Sequence, residues 1–122
     1  MNNNNQKRQE SRLDQRETIF IETQSAYRGE PGNYKMLVCE SVDVSANGIR
    51  AYIDEPVPEQ AIFQMCVEIH ETNQRLYLAV QVRWIRDDES GQGYQVGFQI
   101  FESDDTDVQA WKLHIADCLV PE

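Results

Sequence analysis

Residues 62–101 read IFQMCVEIHETNQRLYLAVQVRWIRDDESGQGYQVGFQIF, and side-chain character alternates along most of this run. In residues 62–70, Ile62, Gln64, Cys66, Glu68 and His70 alternate with Phe63, Met65, Val67 and Ile69. Successive side chains of a strand point to opposite faces, so period two with one apolar set marks a strand packed on a core. Residues 71–74, ETNQ, form a polar hairpin loop. Residues 75–85 then make a long strand with Leu76, Leu78, Val80, Val82 and Trp84 on one face. Residues 87–93, DDESGQG, are a charged turn, and 94–101 a further strand. Three strands joined by polar loops describe an antiparallel meander.

Moving toward the N-terminus, Pro56 and Pro58 break the chain at 54–59, because proline cannot donate to a sheet ladder. Residues 49–53 and 35–42 are two more strands, linked by the polar turn DVSANG at 43–48. In the earlier one Met36, Val38 and Glu40 face one way, and Leu37, Cys39 and Ser41 the other. Residues 28–33, RGEPGN, are a turn, and Ile19, Phe20 and Ile21 open the first strand. Six strands joined by short hairpins predict an antiparallel barrel or sandwich. Toward the C-terminus the period changes. Val108, Trp111, Ile115 and Leu119 recur at helical spacing, with Asp104, Asp105 or Thr106 placed to cap the helix and Pro121 past its end.

A length of 122 residues fits one domain. The net charge of −10 disfavours a nucleic-acid polymer or an anionic membrane as partner. Three widely spaced cysteines, Cys39, Cys66 and Cys118, form neither a disulfide framework nor a metal-ligand pattern. Cys39 and Cys66 lie in alternating apolar runs and are expected as small core residues. No apolar run approaches the roughly 20 residues that span a bilayer. The asparagine-rich start, residues 1–6, carries no signal-peptide core, so a soluble, cytoplasmic chain without membrane insertion is expected. His70 and His114 are the only histidines, and no HExxH, CxxC or GxSxG pattern is present. Catalytic and metal-binding residues are therefore expected to be absent, and the chain is read as a non-enzyme.

Residues 1 to about 16 are polar and locally basic, with Lys7, Arg8, Arg12 and Arg16 against Glu10 and Asp14. They read as a flexible arm. Two short motifs stand out. Arg12 and Arg16 are four apart just before the first strand, and Asp43, Ser45 and Gly48 stand in the turn after the second. Arginine can pair bidentately with phosphate or with guanine O6 and N7, and it can stack on a purine. Asp43 offers acceptors suited to the N1–H and N2–H groups of guanine. The Ser45 hydroxyl can donate or accept, and Gly48 can take a positive φ and let a ligand approach the backbone.

In this order and strand context the motifs resemble those of the PilZ family, RxxxR followed by [D/N]xSxxG. The resemblance covers residues 12–119 as a PilZ-like domain, with 1–11 as the flexible N-terminal arm. It implies a six-stranded antiparallel β-barrel with a C-terminal α-helix and cyclic di-GMP as ligand, with no cofactor. It implies a bacterial second-messenger receptor in motility or biofilm signalling, whose arm orders on binding and which signals to an unidentified effector protein. Arg12, Arg16, Asp43, Ser45 and Gly48 are the ligand-binding residues it implies. Arg8, four before Arg12, adds a phosphate contact, and Trp84 lies where family members can contact ligand. Arg86 beside it reads as a surface charge. Ser11 stands where many members carry a further arginine, which leaves one or two bound ligands open. The alternatives are a PilZ-like protein-interaction adaptor that binds no nucleotide and an OB-like barrel for single-stranded nucleic acid. The retained arginines weigh against the first, and the charge against the second.

Overall fold

The computed structural model describes residues 13, 14, 16–24 and 34–119. The expected arm at 1–11, Arg12, the turn at 28–33 and Pro121 lie outside the described residues. Six strands follow in chain order: β1 Thr18–Gln24, β2 Tyr34–Val44, β3 Gly48–Ile53, β4 Ile62–Ile69, β5 Gln74–Asp87 and β6 Tyr94–Ile100. One helix, α1, spans Val108–Leu119. The strands close into an antiparallel barrel in the order β1-β2-β3-β6-β5-β4.

The expectation of short hairpins throughout needs one correction. β3 lies between β2 and β6, whereas β4 lies between β1 and β5. The link from β3 to β4 is therefore a crossover that contains both prolines. Closure of the barrel requires β1 to pair with β4, and it does so from Thr18↔Glu68 to Glu22↔Gln64.

Alternation puts Ile19, Ile21, Leu37, Ile49, Ala51, Ile53, Met65, Val67, Ile69, Leu76, Leu78, Val80, Val82, Val96, Phe98 and Ile100 inside. Each fully buried Ile or Leu side chain contributes about 1.5–3 kcal/mol relative to exposure. Cys39 and Cys66 are not core residues. Cys39 is half-buried at the margin of the core, and Cys66 stands opposite Tyr77 on the outer face because Met65 and Val67 hold the inner positions of β4.

Two β-bulges interrupt the alternation. The β2–β3 register shifts between Ser41 and Asp43, and the β5–β6 register shifts between Val82 and Trp84. A bulge inserts one extra residue and reverses which face the following side chains take. Val44 and Ile85 thus turn toward the core, while Asp43 and Trp84 turn outward. Trp84 does not share a face with Leu76–Val82, as simple alternation predicts.

Helix α1 lies across the end of the barrel where β2 finishes and β5 begins. Val108, Trp111 and Ile115 join the core, whereas Leu119 is exposed. The residue at the helix start is Asp107 rather than Asp104, Asp105 or Thr106, and its main-chain oxygen accepts from Trp111 N at 2.9 Å. Its carboxylate accepts from Tyr77 N of β5 at 2.8 Å, which ties the helix start to the barrel. Buried deeper, Trp111 Nε1 donates to the Ser45 carbonyl at 3.0 Å.

Candidate functional site

The bulges bring four residues from four strands into one transverse row on the outer surface. Asp43 pairs with Arg50, Arg50 with Gly97, and Gly97 with Trp84. Arg50 Nη2 donates to Asp43 Oδ2 at 2.5 Å, with the Asp43 side chain 10% exposed and that of Arg50 33%. Gly97 has no side chain for a physical reason. A Cβ there would collide with the indole of Trp84, so the bare backbone of β6 is the bed on which that ring lies. The Arg86 guanidinium stands 4.9 Å from the centre of the same ring. Such a cation–π contact is worth about 0.5–1 kcal/mol at an exposed site.

Asp43, Arg50, Arg83, Trp84 and Gly97 line a cleft of about 220 Å³. A neighbouring groove of about 420 Å³ shares Arg50 and adds Arg86, Asp88, Ser90 and Gln95. Arg83 donates to Gln99 at the edge of this region. Three arginines thus gather around one tryptophan in a chain of net charge −10. Together they offer charge, forked donors and aromatic stacking to a planar anion. In the groove Gln95 Nε2 donates to Asp88 Oδ1 at 2.6 Å, while Gln95 Oε1 is buried with no hydrogen-bond partner among the described residues. Hydrogen bonds from Gln95 and Ser90 hold the Asp88 carboxyl down at about 2, against an ordinary value of 3.8.

The turn beneath Asp43 is tightly closed. Ser45 N donates to the Gly48 carbonyl at 2.8 Å, and Ser45 Oγ donates to the same oxygen at 3.3 Å. Ser45 and Gly48 are both buried. Gly48 opens β3 opposite Gln99, and the positive-φ glycines among the described residues are Gly91 and Gly93 instead. Positive φ is therefore not what the structure asks of Gly48.

Arg16 lies on a second cleft with Cys39, Glu40, Tyr52 and Asp54, its Nη1 3.7 Å from Glu40 Oε1. Glu40, Tyr52, Gln95 and Arg86 form the transverse row next to that of Asp43, so Arg16 stands beside the row and outside it. Burial pushes the Cys39 thiol up to about 12, helped by the charges of Asp54 and Glu40, which leaves it protonated at neutral pH. The leader is anchored at Leu13, whose N and O both bond Val44 at 2.8 and 2.9 Å. Arg8 and Arg12 lie outside the described residues, Arg12 being the covalent neighbour of Leu13.

The structure therefore brings Asp43 and Trp84 together, keeps Ser45 and Gly48 in the turn below, and sets Arg16 to one side. Arg50 and Arg83 do not stand out in the sequence, and Arg86, read there as a surface charge, is exposed and lines the neighbouring groove. The available signal was a set of cations clustered near Trp84 and just after Gly48 in an otherwise acidic chain, but only the strand register shows that they converge.

A closed six-stranded barrel with a terminal helix, carrying a cation–aromatic cleft beside a braced Asp-x-Ser turn, defines a small β-barrel domain rather than a nucleotide fold built on a phosphate loop. The PilZ domain profile matches residues 6–117, and the chain belongs to the PilZ domain family. A search against curated proteins finds no match. Solved structures with the same fold include the Bacillus subtilis inhibitor of motility MotI/DgrA, at TM-score 0.68 and 17% identity over 93% of this chain and 51% of that one. The PilZ domain of Escherichia coli YcgR with c-di-GMP is similar at TM-score 0.65 and 16% identity, over 92% of this chain and 91% of that domain. Longer YcgR in complex with c-di-GMP gives TM-score 0.68 and 17% identity over 92% of this chain and 46% of that one. The chain thus spans about half the length of MotI and of the longer YcgR.

Proposed function

We propose that this chain is a cyclic di-GMP receptor module, with residues 1–11 as its arm and 12–119 as its domain. The observation that carries the reading is the row Asp43–Arg50–Gly97–Trp84, set beside a leader fastened at Leu13. Membership of the PilZ family and the c-di-GMP named for the YcgR structures support it.

In this reading Arg12 and Arg16 take phosphate and guanine from the arm side, with Arg8 adding a phosphate contact. Arg83 and Arg86 meet the ligand from the barrel side, where Trp84 offers a stacking surface. Asp43 accepts from a guanine edge by exchanging its bond to Arg50 for one to N1–H or N2–H. Arg50, once released, is free to turn to phosphate. Ser45 and Gly48 hold the turn that aims Asp43. The Leu13–Val44 pair lowers the entropy cost of bringing Arg12 to the site, because the adjoining chain is already docked. Ordering of the arm over the barrel is then the signal passed to an effector protein, and no catalysis is involved.

Calorimetric titration with cyclic di-GMP, run beside cyclic di-AMP and GTP, tests this. Saturable binding of cyclic di-GMP alone is expected, with at least tenfold weaker affinity in Arg16→Ala, Asp43→Ala and Trp84→Ala. Full affinity in all three variants would remove the site. An absence of binding in the wild-type chain would leave an adaptor that uses the barrel without the nucleotide.

A further inference from the structure

The side of the barrel opposite the candidate site carries an apolar row of its own. Across four strands Val38 pairs with Phe20, Phe20 with Cys66, and Cys66 with Tyr77. All four belong to outer faces, since Leu37, Ile19, Ile21, Met65, Val67, Leu76 and Leu78 occupy the inner positions. With strands about 4.8 Å apart, the row is about 15 Å long. Met36 and Ile62 extend this face along β2 and β4. Val38 is 61% exposed, Ile62 63%, Met36 56% and Tyr77 55%. Among the described residues the other exposed large apolar side chains are Leu113 and, less so, Leu119, both on α1. Scattered apolar residues on a surface need no explanation, but a contiguous row across four strands does.

The border of the row carries three carboxylates. Glu22 flanks it on one side, and Glu40 and Glu68 flank it on the other, on the same outer faces. Arg75 sits 4.0 Å from Glu68 and 5.9 Å from the centre of the Phe20 ring, and Arg16 Nη1 sits 3.7 Å from Glu40, so two of the three carboxylates face an arginine and part of one aromatic is covered. The border keeps a net negative charge through Glu22, and two copies of this face would bring together molecules that each carry −10. That repulsion argues against self-association and selects the opposite charge in a partner.

We propose that the outer face of β2, β1, β4 and β5 docks a partner protein that presents an apolar ridge bordered by lysine or arginine. The face is centred on β1 and β4, whereas the candidate ligand site is centred on β3 and β6, diametrically across the closed barrel. It therefore stands independently of the ligand reading. The chain that carries Arg16 runs directly into β1, so the leader and this face are covalently continuous.

The test uses the full chain labelled with ¹⁵N and two synthetic amphipathic helical peptides. Both share a leucine and phenylalanine face; one is bordered by lysine and arginine, the other by glutamate. The basic peptide is expected to shift the amides of Phe20, Val38, Cys66 and Tyr77 and to bind more weakly as sodium chloride rises. Tyr77→Ser is expected to lose at least tenfold in peptide affinity while keeping the wild-type circular dichroism spectrum and nucleotide titration. Three results overturn the proposal: no shifts on this face, equal binding of the glutamate peptide, or sedimentation showing a dimer that Tyr77→Ser dissolves. Cyclic di-GMP titration on the same sample reads the other site separately, so failure of one does not masquerade as failure of the other.

Discussion

At the scale of single residues, the site depends on groups whose partners are already chosen. Asp43 is engaged with Arg50, so in the proposed binding mode a guanine displaces a charge-assisted bond. That exchange favours a ligand that offers both a donor edge for Asp43 and an anion for Arg50, and it disfavours a base without a phosphate nearby. Gln95 shows the opposite arrangement, with its amide nitrogen committed to Asp88 and its oxygen buried. Because the folded Asp88 titrates at about 2 and its ordinary value is 3.8, its contribution to stability is complete above the higher value and is lost as pH falls through the lower one. Replacing Gln95 with leucine removes the largest cause of that depression, since the remaining bonds come from Ser90 alone. Carbon-detected NMR titration of the Asp88 carboxyl should then show its midpoint climb toward 3.8. An unchanged midpoint would mean that Gln95 does not hold the carboxylate.

At the scale of elements, the strands were legible and the bulges were not. Period two reveals a strand because every second side chain must be apolar to meet the core, and Ile62–Ile69 obeys this from end to end. A bulge adds one residue to one strand only, so a count of alternation passes through it unseen. In β5 the sequence Leu76, Leu78, Val80, Val82, Trp84 looks unbroken, although the face changes between its last two members. The visible traces were chemical. Unbroken alternation would bury the Asp43 carboxylate in the core and expose Val44, and it would likewise turn Ile85 out in place of Trp84. Of the site, the Asp43 turn and Trp84 could be named from sequence, but Arg50 and Arg83 required the register between β3, β6 and β5. The helix was legible at Val108, Trp111 and Ile115, while its tie through Asp107 to Tyr77 joins residues 30 apart and leaves no local signature. The Trp111–Ser45 bond joins the helix to the turn under Asp43. Trp111→Phe keeps a ring and removes that donor, with an expected cost of about 1–3 kcal/mol for the lost bond to a buried carbonyl. Urea unfolding measures it, and a midpoint equal to wild type would show that the bond adds nothing to stability.

At the scale of the whole molecule, the barrel separates two surfaces by its own width, a cationic and aromatic one over β3 and β6 and an apolar, acid-bordered one over β1 and β4. The leader runs from the edge of the first into the middle of the second. Ligand held only by the folded state must raise its stability by mass action, by about 2.7 kcal/mol at a hundredfold excess over Kd. A thermal melt with cyclic di-GMP should therefore rise by several degrees, while cyclic di-AMP at the same concentration leaves it in place. Equal shifts with both nucleotides would mean that the cleft recognises phosphate alone. Because β1 hydrogen-bonds to both β2 and β4, every strand among the described residues has a neighbour on each side, and none is an edge strand over its whole length. A closed barrel offers no full-length edge strand to extend, so a companion is read chiefly through side chains. Specificity toward any companion is consequently rewritable by surface substitution, without touching the scaffold that presents it.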